Sequence, residues 1–161
     1  MSGLDPKQLL KYVIEPSLRR LEPRIPATRA ATQLVLGTAL HESGGLVWLD
    51  QRDTADKPGP AYGLWQMEKI TFEDHLSRLS PALEQGVFGY LAVIPGVNDL
   101  HWNLQLGAAM CRVLYFHAPE PLPSADNALA MAMLWKKRYN TPLGAGTVEK
   151  AFPCFQHACT F

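Results

Sequence analysis

Two short runs hold residue types that could do chemistry together. His41-Glu42-Ser43-Gly44-Gly45 places a carboxyl group at the last turn of an apolar segment, and Ala61-Tyr62-Gly63-Leu64-Trp65-Gln66-Met67 follows it. An apolar surround and the negative end of a helix dipole both disfavour the charged carboxylate, so both raise the pKa of Glu42. A carboxylic acid that keeps its proton near neutral pH can give it to a leaving oxygen, as cleavage of a glycosidic bond requires. Gly44 and Gly45 would let a sugar approach the backbone closely. In the second run Gly63 stands where a side chain would obstruct a groove. Gln66 supplies a neutral hydrogen-bonding group, and Tyr62 and Trp65 supply aromatic faces. A mostly apolar wall with few polar groups is what a ligand cleft needs. Taken alone, a glutamate at a helix end is usually a solvated surface residue, and the second run could be a core turn with one buried amide. Neither reading explains why the second run follows the first at this distance.

The elements that must position these residues read as helices. Asp5 caps a first helix with Pro6 behind it; Leu9, Leu10, Val13, Ile14, Leu18 and Leu21 form its stripe, and Pro16 should kink or split it. Thr28 caps the helix that runs from about Arg29 to Glu42 and stops at Gly44 and Gly45. Leu49 to Pro60 reads as a polar loop, with at most a short hairpin near Ala61. A short helix follows Thr71 and Asp74, which have capping-box spacing, and Ser80-Pro81 opens another. A strong helix starts at Asn98 and carries Leu104, Cys111, Leu114 and Tyr115. Ser124 opens a helix that is apolar nearly all round from Ala128 to Trp135 and should be the central buried one. The expected fold is therefore all-α, or α with a minimal β-hairpin.

Glu42-Ser43-Gly44 and Gly63-Leu64-Trp65-Gln66-Met67 resemble the two leading motifs of goose-type lysozymes and soluble lytic transglycosylases. There a Glu-Ser pair ends a helix and a Gly-Leu-Met-Gln-like segment follows. The resemblance spans about residues 28–147, with its specific motifs confined to Glu42 through Met67. It implies a lysozyme-like helical domain with a substrate groove and Glu42 as the catalytic residue. Ser43, Tyr62, Gly63, Leu64, Trp65, Gln66, Met67, Tyr139 and Asn140 would contact substrate. The partner would be peptidoglycan glycan strands, cut at the MurNAc–GlcNAc bond, with no cofactor and no metal. The family's final helix ends in Tyr-Asn-Ala-Gly. Here the chain runs Trp135-Lys136-Lys137-Arg138-Tyr139-Asn140 and reaches glycine only at Gly144 and Gly146, so either Trp135 or Tyr139 stands where the family has its tyrosine.

The resemblance leaves two chemistries open. Transglycosylases of this kind use one glutamate as acid and then base, and the sugar's own hydroxyl closes an anhydro ring. Goose-type lysozymes add acidic residues that hold a water, and such a base sits roughly 6.5–9.5 Å from the acid. Glu68, directly after Met67, and Asp56, in the preceding loop, are the candidates for positioning that water. Both could equally be solvated loop charges, and the single-glutamate reading is preferred.

The bulk properties fit this picture without demanding it. A chain of 161 residues suits one domain. Lys plus Arg and Asp plus Glu both number 15, so nothing steers the protein toward nucleic acid or an anionic membrane. No run approaches the roughly 20 apolar residues of a membrane span. The start of the chain lacks the basic and apolar segments of a secretory signal, so the expected setting is a bacteriophage product. It would be made in the host cytoplasm, carried with other virion proteins and used on the wall. Three cysteines argue against a disulfide framework. Cys154, His157 and Cys159 do not have a recognised zinc spacing, and residues 148–161 read as a loose tail.

Two rival readings belong to other classes. One is a catalytically silent, lysozyme-like structural or binding component of a phage particle, which the altered Tyr-Asn ending allows. The other is a metal-dependent peptidase, against which stand five scattered histidines and the lack of a His-Glu-x-x-His pair.

Overall fold

The computed structural model describes residues 3–52, 58–89, 91, 93–141 and 144–161. The chain is mostly helical, with a small three-stranded antiparallel sheet. It opens with α1 (Pro6–Leu9), capped by the Asp5 carboxylate, which accepts from the Gln8 N–H at 2.8 Å. Pro16 does not end this helix. A π-helical stretch, Leu10–Ile14, leads directly into α2 (Glu15–Arg19), and the Ser17 hydroxyl donates to the Val13 carbonyl at 2.6 Å. The wider π turn accommodates a residue that has no N–H to give the ladder.

Two helices, α3 (Arg29–Glu42) and α6 (Leu104–His117), form the centre. Gln33 through Leu40 and Leu106 through Tyr115 are buried without a break. The expectation that the segment from Ala128 would be central is corrected. On α7 (Ala128–Arg138), Leu129 and Met133 are exposed, and one face alone enters the core through Met131, Ala132, Leu134 and Trp135. An all-round apolar sequence shows that a helix can be buried, not which of several such helices is.

The expected loose tail is also corrected. Val148–Ala158 is a helix, α8, capped by Thr147 and packed on α3 and α7. Ala151, Phe155 and Ala158 recur at helical spacing and are fully buried. Gly37 makes the contact possible: a Cβ there would lie 2.3 Å from a Phe155 ring carbon. Cys154 on this helix and Cys159 at its C-cap, both half-buried, are free thiols whose pKa burial raises.

The sheet runs β1 (Asp50–Arg52), β2 (Pro58–Tyr62) and β3 (Met67–Glu68), in that order. The stretch expected as a loop thus holds a hairpin. Its central strand contains Pro58, Gly59 and Pro60, a composition that argues against a strand. The pairing with β3 uses the end of β2 beyond the prolines, at Ala61↔Glu68 and Tyr62↔Met67.

Helix α4 (Lys69–Ser77) begins at the end of β3, earlier than its expected cap at Thr71, and α5 (Pro81–Phe88) follows. The helix expected from Asn98 is divided. A 3-10 turn covers Val97–His101, and α6 restarts with Asn103 capping the Leu106 N–H at 3.0 Å. Likewise Asn127, not Ser124, caps α7. Among the described residues no helix is long and apolar enough to cross a membrane.

Candidate active site

Glu42 is the last residue of α3, and the next three residues account for the end of the helix. Ser43 is fully buried; its hydroxyl donates to the Ala39 carbonyl at 2.6 Å and accepts from the Leu46 N–H at 2.8 Å. Gly44 and Gly45 adopt left-handed backbone, φ 62° and 81°, and the Gly45 N–H returns to the Leu40 carbonyl at 2.8 Å. Left-handed glycines closing the last turn are a common helix stop. Ser43 therefore serves the turn and does not face the cleft, a correction to its expected substrate contact.

The Glu42 carboxyl is half-buried, and its Oε1 accepts from the Trp135 indole N–H at 2.7 Å. Burial raises its pKa from 4.5 to about 7, with the Trp135 hydrogen bond opposing part of the rise. A group at that value carries comparable amounts of acid and carboxylate near neutral pH, so it can both give and take a proton. Trp135 is itself fixed on α7. It is fully buried, with the His41 ring edge-on at 4.4 Å and Phe155 at 6.5 Å. The aromatic group that touches Glu42 is thus an indole. Tyr139, the other candidate for that place, gives its hydroxyl to the Trp65 carbonyl at 2.7 Å, and burial pushes its phenol pKa up.

Glu42 borders an open cleft of about 370 Å³. The β side contributes Gln51, Ala61, Gln66, Met67 and Glu68; α4 and α6 contribute Thr71 and Leu114; the chain after α7 contributes Tyr139, Asn140 and Thr141, then Gly144 to Gly146. Of the residues singled out from sequence, the cleft gathers Glu42, Gln66, Met67, Glu68, Tyr139 and Asn140. Gln66 holds a left-handed backbone, φ 46°, and donates from Nε2 to the Gly63 carbonyl at 2.6 Å, while its buried Oε1 has no hydrogen-bond partner.

The rest of the second motif builds the wall from behind. Trp65 and Leu64 are core residues, and the Trp65 indole donates to the Val35 carbonyl at 3.0 Å. Trp65 is therefore not the aromatic platform expected. Gly63 was expected to line the groove, yet a Cβ there would lie 2.3 Å from the Leu100 carbonyl oxygen, and its φ is +71°. It is needed for a close backbone approach. Tyr62 lies half-buried beside His101, ring centroids 5.1 Å apart, and does not line the cleft. Asp56 falls outside the described residues.

Sequence reasoning missed Lys136. Its Nζ donates to the Asn140 Oδ1 at 2.8 Å, the Thr141 carbonyl at 2.9 Å and the Gly144 carbonyl at 2.8 Å. It thereby ties three residues that line the cleft, Asn140, Thr141 and Gly144, to α7. The late glycines belong to the same arrangement: a Cβ on Gly144 would strike the Asn140 carbonyl, and one on Gly146 the Trp135 ring. The scattered histidines are not all scattered in space either. His75 on α4 and His117 on α6 meet through their Nδ1 atoms at 2.8 Å, and burial is the largest of the causes that hold the His75 pKa down to about 4. Among the described residues no group of three or more His, Cys, Asp or Glu is placed to hold a metal ion. No family model matches this sequence, and no curated protein or solved structure matches it.

Proposed function

We propose that this protein cleaves the glycan strands of peptidoglycan at the MurNAc–GlcNAc bond, with Glu42 as general acid and then general base. One observation carries the reading: a half-buried carboxyl group, held by an indole N–H, has its pKa raised to about 7 at the edge of an open cleft. A carboxyl in that state gives its proton to the glycosidic oxygen as the bond to the sugar carbon breaks. The carboxylate left behind takes a proton from the same sugar's hydroxyl as that oxygen closes the anhydro ring. Glu42 ends as it began, and no water is consumed. The Trp135 hydrogen bond fixes Oε1, which favours the second oxygen as the one that handles the proton.

The lytic transglycosylase form is preferred over the hydrolytic one. Glu68 is the other acidic side chain among the described residues of the cleft, and it is exposed at the start of α4. In that position water and substrate compete for it. Mass analysis of the fragments released from purified peptidoglycan tests the proposal. Anhydro-ended muropeptides are expected; hydrated reducing ends would make the enzyme a lysozyme. No release would favour a silent, lysozyme-like component of a larger particle.

A further inference from the structure

Helix α6 carries a second buried charge that the cleft does not use. Arg112 is 4 % exposed, and its Nε and Nη1 find no hydrogen-bond partner. Burial lowers its pKa to about 10, so it remains a cation at neutral pH. Keeping two guanidinium nitrogens dehydrated and without acceptors is unfavourable, and a charge so placed calls for a counter-ion.

The surroundings say what kind. Arg112 borders a cavity of about 560 Å³, within the range that holds small organic molecules. Pro26, Ala30, Leu122 and Pro123 make its wall apolar, and among the described residues no acidic side chain lines it. The nearby Asp126 is already engaged by Arg29 at 2.9 Å and Gln33 at 2.8 Å. The first turn of α3, a helix of 14 residues, also lines the cavity through Arg29 and Ala30. The first N–H groups of a helix lack intrahelical acceptors and lie at its positive end. The Thr28 hydroxyl satisfies the one on Ala31, at 3.2 Å.

We propose that this cavity binds a small organic carboxylate. Its oxygens pair with the Arg112 guanidinium and the first-turn N–H groups of α3, and its apolar body lies against Pro26, Leu122 and Pro123. A single negative charge matches one guanidinium. Free phosphate would leave the apolar wall uncovered and bring a second charge without a partner. The site is independent of the cleft and of the activity proposed for it.

The test uses the full chain with octanoate as probe, and octanol and inorganic phosphate as controls, read by calorimetry and thermal melting. Octanoate is expected to bind one per chain and to raise the melting temperature by mass action, while neither control does so at the same concentration. Arg112→Met should keep the fold and weaken octanoate at least about tenfold, the loss of a charged hydrogen bond. Ala30→Leu, which leaves Arg112 in place and fills the cavity, should also weaken it, and carries the test should Arg112→Met fail to fold. The proposal is overturned by octanol binding as well as octanoate, by phosphate doing so, by no octanoate binding at millimolar concentration, or by full binding in the folded variants.

Discussion

At the C-terminal end of α3 a carboxyl group, Glu42, sits half-buried with an indole N–H on one oxygen; near its N-terminal end the guanidinium of Arg112 sits buried with two nitrogens unpaired. Both groups are dehydrated by the same core, yet the outcomes differ. The carboxyl can discard its charge by keeping a proton, and its pKa moves to about 7. The guanidinium cannot: even at about 10 it stays charged. Burial thus makes the first group reactive and leaves the second in need of a partner. A proton donor needs no counter-ion, whereas a permanent cation that is retained in a core points to a ligand.

Substitutions at either end of α3 put this contrast to the test. The largest effect is expected for Glu42→Gln, which keeps the shape but cannot donate a proton. Wall cleavage should fall about 10²–10⁴-fold while the fold is kept, and a well-folded variant with wild-type turnover would remove Glu42 from the mechanism.

Glu42 should next contribute a pH dependence of stability with a sign of its own, opposite to that of His75, whose pKa is held down to about 4. The folded pKa of Glu42 lies above its unfolded value, so its contribution is fully present below about 4.5 and is lost as pH rises through about 7. The span corresponds to about 3 kcal/mol. Chemical denaturation of wild type and Glu42→Gln across this window should show wild type losing stability relative to the variant as pH rises, the His75 contribution being common to both. At the other end of the helix, Arg112→Met should stabilise the unliganded protein, by an amount on the order of 1–4 kcal/mol, because it replaces an uncompensated buried charge with apolar volume. A destabilised variant would mean that Arg112 has a partner.

Trp135→Phe should act more gently and in a defined direction. Its hydrogen bond lowers the Glu42 pKa against the larger effect of burial, so losing it should move the alkaline limb of the activity profile upward. An unchanged limb would separate the two residues. The smallest effect is expected for Glu68→Gln, with cleavage within a few-fold of wild type and products still anhydro-ended. A collapse of activity with hydrated products would make Glu68 the water-holding base and the reaction an inverting hydrolysis.

How much of this was legible in the sequence differs by residue in a physical way. Glu42 was legible only through the second motif that follows it, since a glutamate at a helix end is ordinary on its own. Gln66, Met67, Glu68, Tyr139 and Asn140 came with the motifs and do reach the cleft. Ser43, Gly63 and Trp65 are in the same motifs but serve the turn, the Leu100 approach and the core. A motif fixes which residues travel together, not which of them face outward. Helix α8 was hidden because Pro153 lies inside it and because its burial depends on Gly37, more than a hundred residues away. Arg112 gave no sign at all. On an apolar helix an arginine ordinarily extends its head to water, and only the packing reveals that this one does not.

Titration of the Glu42 carboxyl carbon by NMR, compared with the pH profile of wall cleavage, tests most directly whether Glu42 is the proton donor. A midpoint near 7, coinciding with the alkaline limb of activity and absent in Glu42→Gln, is the expected result. A midpoint at the ordinary 4.5, or an activity profile that ignores it, would contradict the assignment of Glu42 as the proton donor.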